Sequence, residues 1–174
     1  IQSFLQGMEY GAGRGSRTMS SPINDALISG DKTFAQLKKY MIITGNGGVV
    51  NGFDEVPLGL KNADMVLTYD NSLTLNSFVP LPNINSSVGG GRGFLYLFIG
   101  NKDFKDSTPG KLRQPFVDAE SVLLTYAGPI NKGNIDIPIG YNSAKATLQG
   151  AFIGGNPYPA TIDWHNVYAS SSNL

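Results

Sequence analysis

Apolar and polar residues alternate one by one along much of this chain. Ile135, Ile137 and Ile139 are interleaved with Asn134, Asp136 and Pro138, and Ala144, Ala146, Leu148 and Phe152 with Lys145, Thr147, Gln149 and Ala151. Successive side chains on a strand point to opposite faces, so a period of two predicts sheets with one buried and one wet face. Ile162, Trp164 and Tyr168 fall on one face of a further run, with Asp163 and His165 on the other. The pattern places Ile135, Ile137, Ile139, Ala144, Ala146, Leu148, Trp164 and Tyr168 in the core and Asp136, Lys145, Thr147 and Gln149 outside.

Other runs read the same way. Ala63, Met65, Leu67 and Tyr69 alternate with Asp64, Val66, Thr68 and Asp70, Asp70-Asn71-Ser72 is turn-like, and Leu73 to Val79 returns. Tyr40 to Thr44, Phe94 to Ile99, Ser121 to Tyr126, Asn134 to Ile139, Ala144 to Phe152 and Thr161 to Tyr168 complete about eight strands, the spacing of a sandwich or barrel. Asn51-Gly52 is a dipeptide favoured in two-residue hairpin turns. One or two short helices are expected between about 22 and 40: Ser21 before Pro22 suits an N-cap, and Asp31 suits a second, with Phe34, Leu37 and Met41 on one side. Residues 1–20 carry Gly7, Gly11, Gly13 and Gly15 with Arg14 and Arg17 and read as a flexible N-terminal arm, leaving 21–174 as the β-sandwich domain.

Phe94-Leu95-Tyr96-Leu97-Phe98-Ile99 is apolar on both faces, so both must be covered. One side belongs to the core; an intrachain element or a neighbouring subunit covers the other. Phe94, Tyr96 and Phe98, with Arg14 and Arg17 of the arm, are therefore candidate subunit contacts.

Composition narrows the class. At 174 residues the chain suits one domain able to bury a core without staples. With 13 basic and 13 acidic side chains its formal charge is zero, and charged residues make up 15%, against roughly 25% in an average soluble domain. Asn, Ser, Thr and Gln must supply the polar surface, as is common on extracellular and particle-forming proteins. The absence of cysteine excludes disulfides and thiolate metal sites. No run approaches the roughly 18 to 20 apolar residues of a transmembrane helix, so no transmembrane segment is expected.

Candidate chemistry is sparse. Gly89-Gly90-Gly91-Arg92-Gly93 and Gly11-Ala12-Gly13-Arg14-Gly15 lack G-x-G-x-x-G, and Gly30-Asp31-Lys32-Thr33 puts Asp where a phosphate loop needs Lys. His165 is the only histidine, so any Ser-His-Asp catalysis must pass through it. Asp103 and Asp106 could offer oxygens to calcium, but Lys102 and Lys105 intervene and the EF-hand pattern is absent. Asp54-Glu55 and Asp118 with Glu120 are carboxylate pairs whose role depends on separation in space. Scattered basic residues fall short of the dense tails that neutralise nucleic acid, so sequence-specific nucleic-acid binding is not expected. No catalytic, cofactor or metal residue is assigned.

In its length, strand count, Gly- and Asn-rich loops, arm and lack of cysteine, the chain resembles small single-jelly-roll capsid proteins of viruses and phages. The resemblance implies a structural, non-enzymatic assembly subunit located in the virion, whose partners are copies of itself and other particle proteins. The alternative is a secreted carbohydrate-binding β-sandwich, with Tyr141, Tyr158 and Trp164 as stacking platforms for a glycan.

Overall fold

The structure, a computed structural model, describes residues 1–7, 14–102, 108–114 and 118–170. Among these, six strands form two antiparallel sheets: β1 (Gln2–Leu5), β2 (Gly15–Ser20), β3 (Val66–Tyr69), β4 (Phe78–Pro80), β5 (Gly93–Phe98) and β6 (Val122–Thr125). The four-stranded sheet runs β2-β5-β3-β4, and β1 pairs with β6 in the other. The helices are short: α1 (Thr33–Leu37), α2 (Thr108–Arg113) and α3 (Trp164–Ser170), with 3-10 turns at Asp25–Leu27 and Gly48–Asn51. The chain is thus mainly β and antiparallel.

The central strand explains the core. β5 pairs with all of β2 and with Val66–Thr68 of β3, and its alternation drives Phe94, Tyr96 and Phe98 inward to 0% exposure. Phe34 of α1 meets Phe94 edge-on with ring centroids 4.9 Å apart, and the Tyr96 hydroxyl donates to Ile42 O at 2.9 Å. Val122 and Leu124 of β6 join the same cluster, as do Leu37, Met41, Ile42 and Ile43. Burying each such side chain contributes about 1.5–3 kcal/mol, so this one cluster, fed by both sheets and α1, dominates stability.

Buried polar side chains tie the loops to it. The Asp25 carboxylate accepts from Thr33 N, Thr33 Oγ1 and Val88 N, at 2.8–3.0 Å, joining three segments. Asp54 accepts from Ile43 N at 2.8 Å and pairs with Lys102 at 2.6 Å. Gln36 brackets the Ala127 peptide, donating to its carbonyl and accepting from its N–H, both at 2.7 Å.

Several expectations are corrected. The arm is structured where it is described: residues 2–5 are β1, and residues 15–20 are β2, a full-length partner of β5. Pairing with an apolar central strand orders a segment too polar to order itself. Met41 to Thr44 is buried but forms no strand: an isolated bridge joins Met41 to Asn101, and Thr44 O accepts from Met65 N at 3.2 Å. Asn51-Gly52 ends a 3-10 turn in place of making a hairpin. Gly52 there has φ +79°, and a Cβ on it would lie 2.4 Å from Ile84 Cγ2. Ser21 does not cap a helix; its hydroxyl meets Thr33 Oγ1 at 2.6 Å, and Asn24 caps the first turn through Ala26 N.

The largest departure lies after residue 127. No named strand forms at 134–139 or 144–152, and 164–170 is helix α3. Ile135 and Ile137 are half-buried, while Ile139, Ala144, Ala146, Leu148 and Tyr168 are exposed. Lys145, expected outside, is only 6% exposed. The physical reason is that turn bonds, side-chain amides and isolated bridges at Ile130 and Gly154 hold this backbone, so its turns, and not a continuous pleat, decide which way each residue points.

Candidate functional site

Phe94, Tyr96 and Phe98 are enclosed by this chain itself, which corrects their assignment as subunit contacts. Arg14 Nη1 donates to Lys111 O at 2.9 Å, and the Arg17 guanidinium lies over the Phe98 ring at 5.6 Å. Both arginines are thereby folded back on their own domain. What β5 turns outward is Leu95, half-buried, and Leu97, exposed, flanked by Leu67 of β3. The Tyr69 and Phe78 rings continue that face in edge contact, centroids 5.3 Å apart.

Beyond the sheet, long aliphatic side chains stand at the outermost points of separate loops. Leu58 is 96% exposed and Val50 89%, and Leu75 and Leu148 are likewise exposed. Phe4 and Leu123, register partners across β1 and β6, are both exposed too. Leu148 adds backbone strain, since its φ of +55° lies in the left-handed region that a bulky L-residue seldom adopts.

A concavity lies between the turn after β3, the glycine loop before β5 and the 138–153 segment. It encloses about 580 Å³, and Asp70 and Arg92 are the charged residues lining it. Asn71 fixes its far wall: its Nδ2 donates to Gly140 O at 2.5 Å and Gln149 O at 2.7 Å, while Oδ1 accepts from Lys145 Nζ at 2.8 Å. Lys145 also reaches the Tyr69 hydroxyl at 3.0 Å and lies over that ring, which holds the Tyr69 phenol below its ordinary pKa. Asp70 accepts from Ser72 Oγ and N, at 2.7 and 2.8 Å on Oδ1. Those bonds first, and the Lys145 and Arg92 charges after them, hold its carboxyl below the usual range. The Arg92 guanidinium stacks on Phe152 at 4.9 Å and donates to Pro138 O at 3.0 Å.

The glycan-stacking candidates are not gathered. Tyr141 is exposed beside this concavity, following Gly140, with its hydroxyl on Gln149 Oε1. Tyr158 lines a different depression, its hydroxyl donating to Gly133 O at 2.6 Å. Trp164 begins α3. Sequence reasoning missed the concavity: Asp70-Asn71-Ser72 registered only as a turn and Arg92 only as part of a glycine cluster. Nothing local announces a contact between residues some 70 positions apart.

Asp163 precedes α3 and accepts from Asn166 N and Nδ2, a helix cap, while His165 is exposed. Asp54 is committed to Lys102, and Glu120 pairs with the buried Lys111 at 2.5 Å. Among the described residues no group of three His, Cys, Asp or Glu is placed to hold a metal, and no helix is long and apolar enough to cross a membrane. Asp103 and Asp106 lie outside the described residues. No protein-family model, curated protein or solved structure matches this chain.

Proposed function

We propose that this chain is a structural, non-enzymatic assembly subunit of a virus or phage particle, working through contacts with copies of itself and with other particle proteins. The observation that carries the proposal is the projection of Val50, Leu58, Leu75 and Leu148 from separate loops. Each would gain about 1.5–3 kcal/mol on full burial against a neighbour, which its own fold does not provide. Leu148 is held outward in an unfavourable backbone conformation, and strain of that kind concentrates at functional positions. The open outer face of β5 adds a second apolar surface, and low charge leaves little repulsion between copies.

One core cluster shared by both sheets favours a sandwich arrangement, with the jelly roll as its proposed topology. Location in the virion follows from that role. Electron microscopy of the source material with a label on this chain tests the proposal. Symmetric particles carrying many copies support it; recovery only as free monomer, under conditions that preserve particles, overturns it.

A further inference from the structure

The concavity beside β3 is a second, separate feature, and its chemistry does not depend on assembly. Its lining charges are one carboxylate and one guanidinium, Asp70 and Arg92. A phosphate or carboxylate ligand would meet Asp70, which its Ser72 bonds and cationic neighbours hold ionised. A simple cation would meet Arg92, with Lys145 close behind. The walls suit a ligand whose every polar group both donates and accepts. Asp70 takes both Ser72 bonds on Oδ1, so among the described residues Oδ2 keeps its lone pairs. Ser87 accepts from Lys32 Nζ at 2.7 Å, leaving its own hydroxyl proton to give. Apolar surface lies between these groups at Val88, Pro138 and Ile153.

We infer that this concavity binds a neutral saccharide, with ring hydroxyls donating to Asp70 and accepting from Arg92 and Ser87, and C–H faces resting on the apolar patch. Its volume lies within the about 300–1,000 Å³ of small-ligand clefts, and a wall pre-set by Asn71 needs no ordering on binding. Hydroxyls are matched by an acceptor at Asp70 and donors at Arg92 and Ser87, whereas a ligand without hydroxyls could not meet both.

Saturation-transfer NMR on the full chain, which reads binding whatever the assembly state, tests this with methyl glycosides of glucose, galactose, mannose and N-acetylglucosamine. The expected result is transfer to at least one glycoside, reduced at least tenfold in affinity by Asp70→Asn and by Arg92→Gln, with circular dichroism unchanged. Asp70→Asn keeps an acceptor for Ser72, so loss of binding there would not reflect a lost turn. Absence of transfer to all four, transfer indifferent to both variants, or stronger binding of glycine betaine or inorganic phosphate overturns the inference. Particle assembly that survives both variants separates this site from the assembly surface.

Discussion

Two regions of this molecule solve the same problem differently. In the strands of the two sheets, apolar side chains alternate inward and backbone groups pair in ladders. From Ala127 to Ala160 the backbone follows no named element, and amide side chains take over. Asn131 Nδ2 reaches the carbonyls of Ser21, Ile23 and Pro157 at 2.9–3.3 Å, and Asn142 Nδ2 those of Asn71 and Ser72 at 2.9–3.0 Å. Periodicity predicts burial only where a ladder holds the pleat. Where side chains hold the backbone, the same alternation leaves Ile139 and Leu148 in water and Lys145 inside.

The sharpest contrast between the regions is in truncation. Phe94→Ala should cost about 3–5 kcal/mol in denaturant unfolding, because a closed aromatic core cannot collapse onto the gap. Ile139→Ala, with the same apolar chemistry in the other region, should stay within about 0.5 kcal/mol. Equal losses at the two sites would erase the distinction.

The boundary residue gives a pH signature. Burial pushes the Tyr126 phenol up to about 12, and Tyr96, wholly enclosed, is raised further. A phenol whose folded pKa exceeds its unfolded value of about 10 contributes stability that is complete below pH 10. Between pH 10 and 12 the unfolded chain gives up its proton first, so stability falls as pH rises. The Tyr126 share is on the order of 2–3 kcal/mol. Tyr126→Phe should therefore flatten part of the alkaline decline in a pH series of melts. An unchanged slope would mean that this hydroxyl is not desolvated.

Asn131→Ala tests the amide mechanism itself. It strips a donor from three carbonyls of otherwise separate segments and should cost about 1–3 kcal/mol. Hydrogen exchange should quicken mainly in 127–160 while β5 stays protected. Exchange that quickens across both sheets alike would show that the two regions unfold as one.

The smallest effect has the opposite sign. Leu148→Gly relaxes a left-handed backbone and should raise stability by about 0.5–1 kcal/mol, read as a higher Tm. The same change removes an exposed leucine and should weaken assembly.

Much of the sheet region was legible in sequence because its signals are local. The strand positions around Val66, Phe94 and Val122 follow from short apolar and β-branched runs, and the buried set Phe34, Leu37 and Met41 from helical spacing, but the alternation in 63–69 points the wrong way at β3, where Val66 is buried and Leu67 and Tyr69 lie on the outer face. β1 and β2 were not legible, since a glycine-rich polar segment becomes a strand only when an apolar neighbour pairs with it. Helix α3 had a local sign, Asp163 as its cap, which the competing period-two pattern masked. The concavity depends on Asn71 meeting Gly140 and Gln149, and no spacing rule reaches that far.

Assembly is best tested by multi-angle light scattering on the native chain beside a variant carrying Val50→Ser, Leu58→Ser, Leu75→Ser and Leu148→Gly. The native chain should show a concentration-dependent mass well above 18.6 kDa, and the variant a monomer with an intact fold and equal or higher Tm. A native chain that stays monomeric at every concentration, or a variant that associates as strongly, would contradict the account.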